Sequence, residues 1–435
     1  MTTTAGRTHP HYREPCGWQR LLPPRQPTPP LAGAAEAELV VVGAGYTGLA
    51  AARAWSEARP DDRVLVVDAG EVGDGSPGRN SGFLLEIALA DDADPGAVTR
   101  MRRCNDLIAD AMAELRELVT RHAIPCELHR TGTYRGAATD RGRRALAHYQ
   151  AFLDAAALPY EALDRAALAA RLGTDHYGFG LYSPDCSLVQ PAALIRGLAE
   201  CLPDSVRLHE RSPALAVTRQ GDGWRVTCPG GDVRAGRVIL ANNAFARELT
   251  GGLRGRLVVM YTYAALTAPL PEGTLAGSEP SWGLLPAHRL GSTLRRTADG
   301  RLMVRSFYGY EREADNAVIA HRLADCLRRR FPDLPLDRAQ PFEHVWGGAT
   351  GVTYNGAPVW GETAPGLYVS GGCNGGGVVK GTLFGRLLAR RALGLPAEDP
   401  RPLFGTASWM PPEPVRRLGF AAIAAWERRA AGAEC

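Results

Sequence analysis

The sequence is poor in lysine and contains no long apolar run. One of its 50 Lys and Arg residues is a lysine, Lys380, so the other 49 are arginines. No stretch reaches the roughly 18 consecutive apolar residues of a membrane span, and the N-terminus lacks the charged-then-apolar pattern of a signal peptide. The net charge of +4 comes without a basic block, which argues against nucleic-acid binding. We therefore expect a cytoplasmic protein with no membrane span and no nucleic-acid partner.

Metal-binding patterns are missing as well. The nine cysteines are scattered, odd in number and without the spacing of metal ligands. Reduced thiols are therefore expected, as is usual inside cells, and we predict no metal site. The cysteines are Cys16, Cys104, Cys126, Cys186, Cys201, Cys228, Cys326, Cys373 and Cys435.

The length and composition are ordinary for a globular protein. With 435 residues, 45% hydrophobic and 22% charged, the chain has room for two or three domains. Residues 1–35 differ because they contain the Pro-rich run 23–30, which forms neither a helix nor a central strand. We interpret them as an extended arm for which Trp18 is the candidate anchor, and we assign the arm no chemistry.

The segment 39–48 contains the strongest motif. Leu39–Val42 is an apolar, mostly β-branched run typical of a buried parallel strand, and the next six residues fit G-x-G-x-x-G. Gly43 suits a tight turn, Gly45 allows a pyrophosphate to approach the backbone, and Gly48 lets the following helix pack closely on the sheet. The N-terminal N–H groups of that helix favour phosphate.

An acidic residue completes the motif. A second apolar strand, Val64–Val67, ends at Asp68, 25 positions after Gly43, where a carboxylate accepts hydrogen bonds from an adenosine ribose. An acid here disfavours a 2′-phosphate, so NADP is not expected. We assign to a dinucleotide site Gly43, Gly45, Tyr46, Thr47, Gly48, Asp68 and Ala69.

A second glycine-rich loop follows at 69–83. Its five glycines let the backbone approach a flat ligand, while Arg79 and Asn80 offer a positively charged fork and an amide. We predict that this loop forms a second wall of the same cofactor site. The residues assigned to it are Arg79, Asn80, Ser81 and Gly82.

Together, the two motifs resemble a known enzyme family. V-V-V-G-A-G-Y-T-G-L, with G-R-N-S-G-F about thirty residues later, is similar to the FAD-dependent amine and amino-acid oxidases of the D-amino-acid oxidase superfamily. The branch with glycine oxidase, sarcosine oxidase and γ-glutamylputrescine oxidase is the most similar. The resemblance extends, with gaps, from about residue 36 to 391. It implies that FAD is the cofactor and that residues 79–82 line its pyrophosphate and isoalloxazine.

The resemblance also implies the fold class. We expect an α/β protein with a Rossmann-like FAD-binding domain interleaved with a β-sheet substrate domain, as in D-amino-acid oxidase. The expected segments are 36–95, 185–255 and 340–395 for the FAD-binding domain, 96–184 and 256–339 for the substrate domain, 1–35 for the arm and 396–435 for a C-terminal extension.

Apolar residues at helical spacing indicate where helices lie. They predict helices over 98–122, 141–157 and 161–172. The C-terminal extension contains an amphipathic helix over 412–431, whose default role is packing or dimerisation. We expect a monomer or a homodimer.

Other segments match the family near the cofactor. Ala214 stands where related flavoproteins use main-chain groups against the adenine, and Asn242 replaces the usual threonine at a strand end beside the flavin. The loop 371–383 resembles the segment that brings a helix N-terminus to the pyrimidine edge of the flavin, with Gly376 in place of the usual histidine. Its implied cofactor contacts are Gly372, Asn374, Gly375, Gly376, Gly377, Val378 and Lys380.

The segment 344–359 departs from the family at a position that concerns the substrate. Thr350 falls where glycine oxidase and D-amino-acid oxidase have an arginine that pairs with the substrate carboxylate, so that bidentate clamp is missing. An α-amino acid is therefore less favoured than an amine whose acidic group, if it has one, lies further from the nitrogen.

Two β patterns rich in aromatic residues, 257–266 and 302–310, resemble the sheet that covers the flavin and holds the substrate. They predict an aromatic, partly cationic pocket, although aromatic residues at strand spacing also occur as ordinary packing. Lys380 is a further candidate, because arginine does not reproduce the compact ammonium of lysine. We assign catalytic roles to Lys380, Tyr261 and Tyr308, and substrate-binding roles to Tyr263, Trp282, Arg305, Trp346 and Thr350.

The resemblance implies an FAD-dependent oxidase acting on the C–N bond of a small primary or secondary amine. Amines, N-methyl amines, polyamine derivatives and aminophosphonates are the candidate substrates; the imine product is hydrolysed to a carbonyl, and O2 is reduced to H2O2. Non-covalent FAD is favoured, because the cysteine linkage of sarcosine oxidases comes from a different segment than Cys373. Two alternatives stay open: a dehydrogenase that passes electrons to a quinone or carrier, and a non-catalytic flavoprotein.

Overall fold

The computed structural model of the chain describes residues 8–85, 87, 97–288 and 290–434. The strands within these ranges are β1 (Gly33–Val42), β2 (Val64–Val67), β3 (Phe83–Leu84), β4 (Thr133–Ala137), β5 (Glu161–Asp164), β6 (Phe179–Ser183), β7 (Ser187–Leu188), β8 (Val206–His209), β9 (Ala216–Gln220), β10 (Gly223–Cys228), β11 (Gly231–Leu240), β12 (Val258–Leu266), β13 (Trp282–Pro286), β14 (Thr293–Arg296), β15 (Leu302–Tyr310), β16 (His344–Val352), β17 (Val359–Ala364) and β18 (Leu367–Gly371).

Helices connect these strands. They are α1 (Gly17–Arg20), α2 (Tyr46–Ala58), α3 (Ser76–Arg79), α4 (Val98–Arg121), α5 (Asp140–Ala156), α6 (Arg165–Leu172), α7 (Pro191–Glu200), α8 (Asn316–Arg330), α9 (Val379–Ala392), α10 (Arg401–Phe404) and α11 (Val415–Ala431), with 3-10 turns at Asn243–Glu248 and Gly432–Glu434.

The first of two eight-stranded sheets is Rossmann-like. Its order is β17-β18-β11-β1-β2-β8, and the hairpin of β9 and β10 extends it from β11. β1 runs parallel to both β2 and β11, and β11 runs parallel to β18. Leu39 and Val41 of β1 pack into one hydrophobic cluster, while Val40 and Val42 pack into another. The apolar run is continuous because both faces of this sheet are covered.

The second sheet is mostly antiparallel. Its order is β16-β12-β15-β14-β13-β4-β6-β5, and β13 with β4 is its parallel pair. The two sheets, one Rossmann-like and one largely antiparallel, confirm the predicted fold class.

The predicted helix over 161–172 is wrong in its first turn. Glu161–Asp164 pairs with β6 as the edge strand β5, and α6 begins at Arg165. Asp164 caps the helix, since its carboxylate accepts a hydrogen bond from the N–H of Ala167 (2.9 Å). Helical spacing alone does not reveal such strand pairing. The helices predicted over 98–122 and 141–157 are present as α4 and α5.

The division into segments stays a prediction, to which strand pairing adds one fact. His344–Val352 lies inside the segment 340–395 that we assigned to the FAD-binding domain. It pairs along its whole length with β12 of the second sheet, so its backbone belongs to the substrate-side sheet.

The C-terminal helix α11 lies on the surface. Phe420 stacks on Tyr310 with 5.2 Å between the ring centres, whereas Leu418 and Trp426 are 66% and 59% exposed. Its apolar residues therefore occupy the outward face as well as the inward one. In the part of the chain that the structure describes, no helix has the length and hydropathy needed to cross a bilayer.

Candidate active site

A large cavity lies at the edge where the two sheets meet. Its volume is about 1540 Å³. The loops that follow β1, β2, β11 and β18 line it from one side, and β15 and β16 line it from the other. The carboxyl ends of parallel strands meet at this edge, where open α/β sheets bind their ligands.

Most of the predicted cofactor residues line this cavity. They are Gly43, Gly45, Tyr46, Thr47, Asp68, Ala69, Arg79, Asn80, Ser81, Ala214, Asn242, Gly372, Asn374, Gly375, Gly376, Gly377, Val378 and Lys380.

The other two predicted cofactor residues, Gly48 and Gly82, lie behind the cavity wall. A β-carbon at Gly48 would stand 1.8 Å from the carbonyl oxygen of Gly43. One at Gly82 would stand 2.2 Å from the guanidinium of Arg295. Both glycines therefore permit close packing behind the site and do not contact the cavity themselves.

Asp68 closes the turn between β1 and α2. Its carboxylate accepts hydrogen bonds from the N–H groups of Ala44 (2.7 Å) and Gly70 (2.9 Å). Burial raises the pKa of Asp68 to about 6 despite these two bonds. Gly43 has φ +105°, which favours glycine at the turn. The side chain is thus held at the cavity wall with lone pairs left for a ligand.

Two helices begin at the cavity and pack on each other. α2 starts at Tyr46 and α9 starts at Val379. A β-carbon at Gly385 of α9 would lie 2.0 Å from the carbonyl oxygen of Thr47, so glycine is required at this contact. The positive dipole ends of both helices therefore lie at one cavity, and both favour anionic groups there.

The loop between β18 and α9 has a fixed shape. Asn374 has φ +49°, and its amide donates to the carbonyl oxygens of Gly356 and Gly372 (both 2.7 Å). Its side-chain oxygen accepts from the N–H of Thr353 (2.9 Å). Apart from its two chain neighbours, no described residue comes within 4 Å of a β-carbon built on Gly375, which therefore borders open space.

Lys380 lies in the first turn of α9. A β-carbon built on Gly376 would stand 3.1 Å from the Cε and 3.4 Å from the Nζ of Lys380. The lysine side chain therefore folds back over the loop between β18 and α9. A cation is disfavoured beside the positive end of a helix dipole. Its presence at the cavity wall favours a negatively charged partner there.

Thr350 and two residues that sequence reasoning had not assigned to the site form a small polar cluster. The Sγ atom of Cys373 lies 3.2 Å from both Asn243 Nδ2 and Thr350 Oγ1, and all three residues line the cavity. The eight described cysteines are free thiols; Cys435 lies outside the described residues. Within the described part of the chain, no group of three His, Cys, Asp or Glu side chains is arranged to hold a metal ion.

Arg79 connects three segments of the chain through hydrogen bonds. It is 7% exposed, and three of its N–H groups donate to the carbonyl oxygens of Asp74 (2.5 Å), Gly347 (2.8 Å) and Glu14 (2.9 Å). These three acceptors belong to the loop itself, to β16 and to the N-terminal arm. The guanidinium therefore positions the loop.

Asn80 and Ser81 shape the same loop. The amide of Asn80 donates to the carbonyl of Pro77 (2.6 Å), and its oxygen accepts from the N–H of Gly82 (2.8 Å). The carbonyl of Ser81 accepts from Arg295 (3.2 Å). Their side-chain and carbonyl groups hold the loop shape that brings these residues to the cavity.

The substrate-side wall is cationic. Arg135, Arg305 and Tyr308 line it, and the guanidinium of Arg305 lies over the Tyr308 ring at 4.9 Å. No carboxylate of the described chain comes from this wall. The described carboxylates at the cavity are Glu14, Asp68, Glu71 and Asp74, from the arm and the loop after β2.

A β-bulge brings the two β15 residues to one face. Residues three apart on a regular strand point to opposite faces. The register with β12 shifts between Thr262 and Tyr263, and Phe307, with φ +61°, is the extra residue. Arg305 and Tyr308 consequently both line the cavity beside Thr262.

Three predicted site residues are not on the cavity wall. Tyr261, Tyr263 and Trp282 are 5%, 1% and 1% exposed and belong to the hydrophobic core, where Trp282 stacks on Phe331. Side chains alternate along a strand, and Thr262 takes the cavity side of β12. The sequence pattern was compatible with either face, so the structure revises these three assignments.

Trp346 is covered by the arm. Its ring packs edge-on against Trp18 with 6.1 Å between the centres, it is fully buried, and its Nε1 donates to the carbonyl of Arg79 (3.1 Å). Trp346 therefore does not reach the cavity as expected, but packs behind the loop that contains Arg79 and supports it.

The arm is a further part of the cavity wall that the sequence did not predict. Residues 8–15 line it, and the amide of Asn242 donates to the carbonyl of Thr8 (3.3 Å). Aromatic residues such as His9, His11 and Tyr12 were the available signal. Sequence alone does not say where an arm without periodicity lies.

The residues at the cavity fit FAD. Its pyrophosphate would be held by the main chain at the start of α2, and its ribose by Asp68. The start of α9 suits the electron-rich pyrimidine edge of the flavin. The buried Oδ1 of Asn242 has no hydrogen-bond partner among the described residues, which leaves it available to a bound molecule. The fold and site therefore define an FAD-binding α/β protein.

Comparison with known proteins gives the family. The profile of the DAO family, FAD dependent oxidoreductases, matches residues 38–391. The chain therefore belongs to this family and is an FAD-dependent oxidoreductase, which confirms the predicted family and cofactor.

Individual relatives agree with this assignment. A probable oxidoreductase OrdL of Rhizobium meliloti is 27% identical over 88% of this chain and 89% of its own. A gamma-glutamylputrescine oxidoreductase of Escherichia coli is 26% identical over 81% of this chain and 82% of its own. The crystal structure of glycine oxidase from Geobacillus kaustophilus superposes with a TM-score of 0.71 at 20% identity, covering 86% of this chain and 99% of that one.

Proposed function

We propose that this enzyme oxidises the C–N bond of a small primary or secondary amine that carries an anionic group away from the nitrogen, with O2 as the electron acceptor. The net reaction removes two electrons and two protons from the CH–NH unit, and water then hydrolyses the imine to a carbonyl compound and an amine or ammonia. O2 takes up the two electrons and two protons as H2O2.

One observation carries the proposal: the substrate-side wall has two guanidinium groups and no carboxylate among the described residues. Arg305 contacts the aromatic ring of Tyr308, and no ion pair joins it to a carboxylate among the described residues, so its guanidinium is available to an incoming anion. The E. coli relative, named for gamma-glutamylputrescine, supports an amine that also bears a carboxylate.

The same wall acts on the amine itself. A neighbouring cation disfavours a second positive charge, so Arg135 lowers the pKa of an amine bound beside it. A neutral amine has the lone pair that oxidation of the adjacent carbon requires. No positioned general base is then needed, and none of the described carboxylates lies on this wall.

The remaining roles are divided along the cavity. FAD, when bound, supplies a two-electron acceptor. Lys380 and the start of α9 provide positive charge at its expected pyrimidine end. Tyr308 orients Arg305 through its ring. Thr350 lines the cavity with a short side chain, so the guanidinium that would bind an α-carboxylate is replaced by a hydroxyl there.

The test is anaerobic mixing of the FAD-loaded enzyme with matched amines while flavin absorbance is followed. The panel pairs each neutral amine with an analogue that carries a distal carboxylate or phosphonate, and it includes N-methyl amines, polyamine derivatives and α-amino acids. We expect bleaching by the anionic amines first, reversed by air with H2O2 formed.

Three outcomes would contradict the proposal. Bleaching by α-amino acids alone would move the anion site next to the nitrogen. Bleaching that dyes or quinones reverse but air does not would identify a dehydrogenase. No bleaching by any amine, in protein that holds FAD, would point to a non-catalytic flavoprotein.

A further inference from the structure

The N-terminal arm lies outside the segment that matches the DAO family, which begins at residue 38. Residues 8–15 of the arm nevertheless line the same cavity as the cofactor residues. These residues therefore form part of the wall of the site although they lie outside the segment that the family profile matches.

The first contact joins the arm to the glycine loop. The guanidinium of Arg79 lies 3.6 Å from the centre of the Tyr12 ring, and it also donates to the carbonyl of Glu14 (2.9 Å). The hydroxyl of Tyr12 accepts from the N–H of Ala349 on β16 (3.4 Å). Tyr12 therefore bridges the loop and the second sheet.

A second contact of the same kind lies further along the arm. The guanidinium of Arg295 is 5.0 Å from the centre of the Trp18 ring, and Arg295 donates to the carbonyl of Ser81. Trp18 itself donates to the carbonyl of Asn80 (2.9 Å), and the thiol of Cys16 donates to the carbonyl of Gly78 (3.2 Å).

Both the arm and β16 therefore hold the loop. The arm bonds to the backbone of residues 78 and 80, while carbonyl groups of β16 accept hydrogen bonds from Arg79 and Ser76. Two aromatic rings of the arm each contact a buried arginine: Arg79, which belongs to the loop, and Arg295, which bonds to it. Cation–π contacts of this kind are strongest when they are shielded from water.

We propose that residues 8–18 form a clamp that fixes the glycine loop 75–82 in its FAD-binding shape and closes the outer wall of the cavity. Tyr12 is the positioning residue at its end. The clamp slows loss of FAD and restricts solvent access to the flavin. This inference needs FAD to bind at the cavity, but it does not depend on the identity of the substrate.

The experiment compares Tyr12→Ala, Tyr12→Phe and a chain lacking residues 1–14 with the wild type. Tyr160→Ala is the matched control, because the hydroxyl of Tyr160 bonds to Asp154 on α5, in a region that does not line the cavity. The readouts are the dissociation constant of FAD, iodide quenching of the bound flavin's fluorescence, and hydrogen exchange of peptides covering 75–82.

For Tyr12→Ala and the shortened chain we expect FAD to bind about tenfold more weakly, a loss of about 1.4 kcal/mol. Iodide quenching and loop exchange should both increase. Tyr12→Phe keeps the ring over Arg79 and should fall within about threefold of wild type, and Tyr160→Ala should not differ from it.

Unchanged FAD affinity, quenching and loop exchange in the shortened chain would overturn the clamp. Equal losses in Tyr12→Phe and Tyr12→Ala would overturn the role of the ring. Should Tyr12→Ala not fold, the shortened chain still tests the clamp, since it retains Cys16 and Trp18 in their hydrophobic cluster. None of these readouts uses turnover, so they are independent of the amine panel.

Discussion

The ammonium of Lys380 lies 3.4 Å from the place where a β-carbon of Gly376 would stand. The resemblance to amine oxidases puts a histidine at position 376, and the lysine four residues later occupies the space beside that glycine. Lys380, in the first turn of α9, therefore places a charged group beside the position where relatives have the histidine. The chain has one lysine, and it is at the cavity wall.

Replacing this charge should separate the two halves of the reaction. We expect Lys380→Met to slow flavin reoxidation by O2 about tenfold while the amine still bleaches the flavin. The reason is that the ammonium of Lys380, absent from the variant, stabilises negative charge at that end of the cavity. Stopped-flow measurement of each half-reaction checks this. Arg386→Met on the same helix is the control, since Arg386 pairs with Glu114 (2.7 Å) away from the cavity. Unaltered reoxidation would exclude the role of Lys380.

Arg305 should decide the preference for anionic substrates. In Arg305→Met we expect KM for amines with a distal carboxylate to increase roughly 10- to 100-fold, the range of one lost charge-assisted hydrogen bond. Uncharged amines should change little. Steady-state kinetics with matched amine pairs measures the difference. Arg322→Met is the control, as Arg322 lies over Phe307 at 4.0 Å and does not line the cavity. An equal increase for both amine classes would contradict an anion site.

The pKa of Asp68 predicts a pH dependence. Burial raises this pKa to about 6, whereas an aspartate of the unfolded chain has a pKa of about 3.9. Between these values the folded state binds more protons, so the contribution of Asp68 to stability without FAD falls as pH rises through this window. FAD affinity should instead increase through pH 6, because the ionised carboxylate is the stronger acceptor.

FAD titrations and thermal unfolding between about pH 4 and 8 test both trends. Asp68→Asn serves as the control, because an amide does not titrate in this pH range and the variant should give flatter pH profiles. If the variant and the wild type share one pH profile, another group is responsible.

Gly48 tests the close packing of the dinucleotide motif. In Gly48→Ala the new β-carbon would stand 1.8 Å from a backbone oxygen. We therefore expect the free energy of unfolding to fall by at least about 3 kcal/mol and FAD binding to weaken as well. Gly419→Ala also lies within a helix, and beyond its chain neighbours and the backbone of that helix its β-carbon meets no described atom within 4 Å, so it should stabilise the protein by about 0.5–1 kcal/mol. Chemical denaturation of both variants gives the comparison. A mild effect of Gly48→Ala would mean that α2 shifts easily.

FAD should be released by acid. We expect a colourless pellet and free flavin in the supernatant after precipitation. Cys373 is the thiol to examine, because it lines the cavity and lies 3.2 Å from Asn243 and Thr350. A yellow pellet that becomes colourless in Cys373→Ser would establish a covalent link instead.

The FAD side of the molecule was largely predictable. Strand, glycine turn, helix, strand and acid are contiguous, and each glycine answers a local steric demand such as the contact of position 48 with Gly43. The glycine loop before α9 gave a similar local signal. The sequence therefore predicted the loops on that side, and most of the predicted cofactor residues line the cavity.

The substrate side was less predictable for two physical reasons. Tyr261 and Tyr263 lie on a strand buried on both faces, so alternation does not tell which face borders the cavity. The bulge at Phe307 then shifts the alternation, which places Arg305 and Tyr308 together. Pairing between distant strands decides both points.

By itself, the sequence determined the family, the cofactor and the main-chain cradle, because short-range steric rules fix a dinucleotide motif. The tertiary structure alone decided which aromatic side chains meet the cavity and where the N-terminal arm lies. Tyr12 meets Arg79, and Trp18 meets Trp346, through contacts between segments far apart in the chain. Such contacts depend on the packing of the whole fold and leave no periodic pattern in the sequence.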